Sequence, residues 1–282
     1  MGEGLVYRAH GQVRRRRLAL WVWYRGDRFQ GWQSQRTGTS VQETLESALT
    51  ALGVAGRPMA AGRTDRGVHA RCQPVSVRVP IEVEPEALLG LGGDGWGVAA
   101  AVPAPDGFHA QWSSVSKEYR CRLALGPVPE DWKALVWEVT THPRLTGRAV
   151  SLERLHEALE RAVGTRDFAA LHAPSSVRRA RTLQAVSWRE SERGVEVGLR
   201  GDAFGRYGVR LLVGGAALVA AGMLESARWE RALESAEAIE GLRAPAGALT
   251  LWSVGYPDGL DPFAGVSPRL PATPPFVPLD QA

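Results

Sequence analysis

The chain has 282 residues, 44% hydrophobic and 23% charged, the make-up of an ordinary globular protein with room for one large domain or two small ones. Thirty-four Lys and Arg against thirty Asp and Glu leave a net charge of only +4, so any grip on a polyanion has to come from local clusters such as Arg14 to Arg17, or Arg178, Arg179 and Arg181. Two cysteines, Cys72 and Cys121, exclude a disulfide framework, a metal knuckle and a redox pair, and point to a reducing cytoplasm.

The N-terminus carries Glu3 and no sustained apolar core, so it does not read as a signal peptide. Leu18 to Tyr24 is aromatic and branched and runs into Arg25-Gly26-Asp27, a strand followed by a turn. Ser40 with Glu43 makes a capping box, after which Val41, Leu45, Ala48, Leu49 and Leu52 recur at helical spacing. A strand over Pro74 to Val79, a short helix over Glu84 to Leu89 and a strand over Val98 to Val102 complete a β-α-β-β-α-β order, that of a ferredoxin-like unit. Gly90 to Gly95 matches G-x-G-x-x-G, but it follows a helical segment outside any βαβ unit, so no dinucleotide site is expected.

The second half alternates again. Tyr119, Cys121, Leu123 and Leu125 share one face of a strand, with Arg120 and Arg122 on the other. Ser151 opens a helix through Leu152, Leu155, Leu159 and Val163. Arg181 to Trp188 and Val195 to Leu199 form a hairpin around Ser191 to Gly194. Tyr207 to Leu224 and Arg228 to Glu240 are helical, and Thr250 to Val254 is a last strand. Leu211 to Leu224 is wholly apolar or glycine but too short to span a bilayer, hence a buried core helix. Six prolines after Pro257 favour an extended tail over any packed element. The expected organisation is a basic tail (1–16), two α+β domains (17–112 and 113–258) and a Pro-rich tail (259–282). The six histidines show no metal-ligand spacing, so no metal site is expected.

The chemistry is concentrated in Ala61-Gly62-Arg63-Thr64-Asp65-Arg66-Gly67-Val68-His69-Ala70. Gly62 and Gly67 permit sharp turns on both sides of Asp65, which can hold its carboxylate out into a cleft or merely cap its own backbone. A second marked residue is Arg210, the only charge between Tyr207 and Leu224. A lone guanidinium at the start of an apolar helix implies a buried or cleft-facing partner.

The loop resembles the catalytic loop A-G-R-T-D-A-G-V-H-A of the TruA family of tRNA pseudouridine synthases. Further stretches in the same order are similar to that family's: Tyr24-Arg25-Gly26, Gly31-Trp32-Gln33, Ser40-Val41-Gln42, Phe108-His109-Ala110, Tyr119 in Lys117-Glu118-Tyr119-Arg120, Ala203-Phe204 leading to Val209-Arg210, Ala244-Pro245-Ala246, and Tyr256-Pro257. The resemblance covers roughly residues 18 to 258.

It implies two ferredoxin-like halves sharing a central, mainly antiparallel sheet, with a cleft between them. It also implies a homodimer that grips the anticodon arm of tRNA and isomerises uridines at tRNA positions 38 to 40, with no cofactor because no redox step occurs. Asp65 takes the place of the catalytic aspartate, Tyr119 that of the tyrosine stacking on uracil, and Arg210 that of the arginine paired with the aspartate. Arg63, Arg66, His69, Phe108 and His109 are expected on the RNA-binding side. The sequence departs from the family pattern at Arg25, Arg66, Gln111, Gly205, Gly208, Leu211, Ala248 and the Gly90–Gly95 loop. These departures keep two rivals open: an RNA-binding protein without catalysis, and a synthase for another RNA or a small uridine compound.

Overall fold

The structure is a computed structural model that describes residues 14–173, 180–192, 194–235, 239 and 242–278. Arg178 and Arg179 lie outside the described residues. In chain order the elements are β1 (Arg15–Tyr24), α1 (Val41–Ala51), β2 (Met59–Ala60), β3 (His69–Pro80), the single turn α2 (Pro85–Leu88), β4 (Gly92–Gly93), β5 (Trp96–Pro103), β6 (Ser116–Ala124), β7 (Trp137–Glu138), α3 (Leu152–Glu160), β8 (Gly164–Arg166), β9 (Arg181–Ser191), β10 (Gly194–Gly201), α4 (Gly208–Ala220), α5 (Ser226–Glu234) and β11 (Leu249–Gly255). All the strands belong to one sheet in the order β4-β5-β1-β3-β11-β6-β10-β9-β8, with β2 also on β3 and β7 also on β6. Among the described residues, only β3–β11 and β6–β7 pair in parallel. The α+β class and the mainly antiparallel sheet are those expected.

The period-2 alternation sorts the strands' side chains onto two faces. Leu18, Leu20, Val22 and Tyr24 of β1, Cys121 and Leu123 of β6, and Val195, Val197 and Leu199 of β10 join one core with Leu45 and Leu49 of α1, Leu155 and Leu159 of α3, and the apolar length of α4. The capping box at α1 forms as read: Glu43 N–H donates to Ser40 Oγ at 3.2 Å and Ser40 N–H to Glu43 Oε2 at 3.1 Å. Two glycines of α4 allow contact at backbone distance. A Cβ on Gly214 would stand 1.7 Å from the carbonyl oxygen of Leu242, and one on Gly215 would stand 2.4 Å from the Trp229 ring. Residues 242–244 therefore run directly against α4.

Three expectations change. The basic run is not a free tail, because Arg15, Arg16 and Arg17 start β1, pairing with Pro80, Val79 and Arg78; Arg16 also bonds Glu84 at 2.7 Å. The glycine-rich segment 90–95 holds β4, which forms a hairpin with β5. The proline-rich C-terminus packs on the sheet's other face: Phe263 sits edge-on to Trp21 and Phe276 edge-on to Trp23, and both are buried. Prolines cannot donate to a strand ladder, but the segment's carbonyls can still accept. Arg71 donates to Phe276 O at 3.2 Å, and Arg122 donates to Pro275 O at 3.2 Å and to Val277 O. Arg122 also pairs with Glu196 at 3.0 Å, both side chains being buried.

The two halves meet at β3 and β11, where pairing is brief: Thr250 opposite His69 and Leu251 opposite Ala70. His69 itself ties the junction. Its Nδ1 accepts from Gly26 N–H at 3.0 Å, and its Nε2 lies 2.9 Å from Gly247 O. Those partners assign the neutral Nε2–H tautomer. The side chain is fully buried, which pushes its pKa down to about 4 despite the opposing pull of Asp27. His69 is thus a strut between the halves, and its burial corrects the expectation that it contacts RNA.

Because the folded-state pKa lies below the ordinary value of 6.5, stability from this strut is complete above the unfolded pKa and is lost as pH falls through the folded one. Urea midpoints measured from pH 7.5 to pH 4 should therefore fall below about pH 6.5. His69→Asn should be less stable at pH 7.5 and show a shallower slope over that window; an unchanged slope would remove His69 as the cause.

Candidate active site

The loop between β2 and β3 is held by backbone and buried polar groups. Gly26 and Gly31, on the β1–α1 connection, lie so close beneath it that a Cβ on Gly26 would stand 2.2 Å from Val68 O. One on Gly31, whose φ is +98°, would stand 2.9 Å from Thr64 O. Trp32 N–H donates to Thr64 O at 3.2 Å and Val68 N–H to Asp65 O at 3.1 Å. Buried Gln73 donates to Gly62 O at 2.6 Å and to Tyr24 Oη at 3.3 Å, and Tyr24 Oη lies 2.8 Å from Thr64 Oγ1. Every one of these bonds fixes the backbone on which Asp65 rides. Arg63 and Arg66, on either side of Asp65, are exposed.

Asp65 points at the second half. Its Oδ2 lies 3.7 Å from Arg210 Nη1, an ion-pair distance rather than a hydrogen bond. The guanidinium is aimed from behind: Arg210 Nε–H donates to Ala244 O at 2.7 Å, and Ala244 N–H returns a bond to Arg210 O at 3.0 Å. This clamp depends on the close approach that Gly214 allows. Burial raises the Asp65 pKa above the usual carboxylate value, opposed first by Arg210 and then by Arg206 and Arg243. The result is a carboxylate more basic than a surface aspartate and still flanked by cations that favour its ionised form.

Tyr119 of β6 borders the same place. Only 8% of it is exposed, and its ring meets Phe204 edge-on at 5.5 Å. Burial, then the neighbouring Tyr24 and Asp65, raise its phenol pKa, so the hydroxyl stays protonated at neutral pH. Asp65, Tyr119 and Arg210 thus converge from a loop of one half and from a strand and a helix of the other.

The remaining expected contacts divide. Phe108 is fully buried, packed edge-on to Tyr256 at 5.1 Å, so it is a core residue and offers no surface to RNA. His109 is partly buried in a surface turn. Arg25, where the family pattern has aspartate, donates twice to Asp27 at 3.0 Å. Sequence reasoning overlooked a cation cluster around Tyr207, a residue in left-handed conformation (φ +64°). Arg206, Arg243 and Arg210 place their guanidinium carbons 4.8, 4.7 and 5.6 Å from its ring centre. Arg206 and Tyr207 lie in the gap between Ala203-Phe204 and Val209-Arg210, where the resemblance gives them no role. Arg243 is brought in only by the crossing of residues 242–244 over α4, for which no local signal exists.

Comparison with known proteins places the chain. A chain of a solved Cbf5–Nop10–Gar1 complex is similar over 83% of this chain and 49% of its own length, at 16% identity and a TM-score of 0.39. Residues 158–257 match the family described as tRNA pseudouridine synthase. Proteins named tRNA pseudouridine synthase A from Roseiflexus sp. (strain RS-1) and Beijerinckia indica subsp. indica are 34% and 32% identical over 255 and 266 residues. These alignments cover 86% and 88% of this chain and 92% and 99% of those proteins. With identity of this order along nearly the whole length, this chain belongs to the tRNA pseudouridine synthase family.

Proposed function

We propose that the protein isomerises uridine to pseudouridine in the anticodon stem-loop of tRNA, at positions 38 to 40, with Asp65 as the reacting carboxylate. The observation that carries this reading is the Asp65–Arg210 pair across the junction of the halves, beside Tyr119. The reaction breaks the N-glycosidic bond, turns the uracil and rejoins it through C5, so it calls for a carboxylate beside sugar and base in a site drier than bulk water. Burial supplies the dryness and Arg210 keeps the charge. The target base leaves its stack to reach the carboxylate. Tyr119 packs against the uracil in this reading, and its raised pKa speaks against a tyrosinate base. Exposed Arg63 and Arg66 hold phosphates on either side, which makes binding salt-dependent. A homodimer gripping the anticodon arm, in the cytoplasm, belongs to the same reading.

Tritium release from tRNA labelled at uridine C5 tests it. Wild type should release tritium, and Asp65→Asn should release it at least roughly 10²-fold more slowly, the lower end of what a positioned acid–base group contributes, with tRNA affinity nearly unchanged. Release by Asp65→Asn at the wild-type rate would sink the assignment. No release from either protein, with tight tRNA binding, would leave a binding protein without catalysis.

Stability separates this loss from misfolding. With its folded pKa raised, Asp65 contributes stability below its unfolded pKa that is lost as pH rises through the folded value, so at neutral pH the ionised carboxylate is a cost. Asp65→Asn should melt no lower than wild type at pH 7.5.

Arg210→Met should move the acid limb of the single-turnover pH–rate profile to higher pH, because removing the cation raises the pKa of a carboxylate that acts ionised. An acid limb that stays in place, with the rate lowered equally at every pH, would show that Arg210 does not set the charge of Asp65.

A further inference from the structure

The turn between β5 and β6 presents a large aromatic ring to solvent with no apolar reason to do so. Trp112 is 80% exposed, although burying an aromatic ring is among the larger gains available to a fold. The ring is nevertheless held in one orientation. It stacks on His109 with centres 4.1 Å apart and planes 12° from parallel. The imidazole is fixed in turn, its Nδ1 accepting from the N–H groups of Gln111 at 3.1 Å and Trp112 at 3.2 Å. His109 and Ser113 close the turn reciprocally: His109 N–H donates to Ser113 Oγ and Ser113 N–H to His109 O, both at 3.0 Å. Ser114 Oγ donates to Gln111 O at 2.8 Å. One face of the indole is covered by His109, and most of the residue remains open to solvent.

The turn adjoins the loop that carries Asp65. Lys117 donates to Ser114 Oγ at 2.9 Å, and its Cε lies 3.2 Å from where a Cβ on Gly62 would stand. Gln111 lines a pocket of about 110 Å³ together with Arg57, Gly62 and Arg63. Among the described residues no acidic side chain lines that pocket, and Arg57 and Arg63 are exposed. A pre-oriented aromatic face beside a cationic, acid-free pocket is how single-stranded nucleic acid is held, with bases on rings and phosphates on guanidinium groups.

We propose that Trp112, braced by His109, is a stacking platform for an unpaired RNA base near the target uridine, with the adjoining phosphates on Arg57 and Arg63. This rests on the reading that the protein acts on RNA. The platform lies outside the Asp65 site, so it serves affinity and the choice of uridine rather than bond-making.

The test measures tRNA binding and C5 tritium release for wild type, Trp112→Phe and Trp112→Ala, all full length. A second binding series uses tRNAs in which each anticodon-loop nucleotide in turn is abasic. Trp112 is exposed, so neither substitution should disturb folding. Trp112→Ala should weaken binding by roughly 5- to 150-fold, the loss of one stacked base, through KM more than kcat, while Trp112→Phe keeps most of the affinity. One abasic position should weaken wild-type binding by a similar factor and add nothing in Trp112→Ala. Equal affinity in wild type and Trp112→Ala, or full additivity at every abasic position, overturns the platform while tritium release by wild type leaves the proposed function standing. A shift in oligomeric state of Trp112→Ala on sedimentation, with tRNA affinity unchanged, overturns it in favour of a contact between two copies of this chain. Absence of both tRNA binding and tritium release in wild type overturns the functional reading and the platform together.

Discussion

The structure turns on the buried imidazole of His69, which joins the N–H of Gly26 to the carbonyl of Gly247 at the one place where β3 and β11 run side by side. Two residues of parallel pairing make a weak seam by themselves. A neutral ring with a partner at each nitrogen makes it specific, because burying either nitrogen unpaired is costly. Once β3 is set against β11, the loop that precedes His69 has to arrive over β6 and the start of α4. That is why a carboxylate from the first half meets an arginine and a tyrosine from the second.

Opposing forces act on Asp65. Desolvation raises its pKa and three arginines lower it, with desolvation prevailing. The protein tolerates this cost because the loop backbone is overdetermined, from Gln73 and Tyr24 below and from the glycines at 26 and 31. Such residues do no chemistry, yet they restrict where the carboxylate can go. The same economy appears at Arg210, whose Nε is committed to Ala244 O, leaving the outer nitrogens to face Asp65.

The back of the sheet shows how a pattern can mislead. Proline spacing predicts an extended tail, and the segment is indeed without strand or helix from 256 to 278. Extension is nevertheless compatible with packing. The face it covers carries Trp21, Trp23, Arg71 and Arg122, which need both apolar cover and carbonyl acceptors. A proline-rich strip supplies both without competing for the strand ladder.

Much of this was legible in the residues. The capping box at Ser40, the alternation of β1, β6 and β10 and the apolar run of α4 all follow from local periodicity, which is a property of neighbouring positions in the chain. The order of motifs around Asp65, Tyr119 and Arg210 likewise identified the family. Tertiary structure alone decided that Phe108 and His69 are buried, that the C-terminus docks, and that Arg243 reaches Tyr207. It also decided that Trp112 stays outside. Each depends on which distant segments come into contact, and burial is a relation between segments that no local spacing encodes.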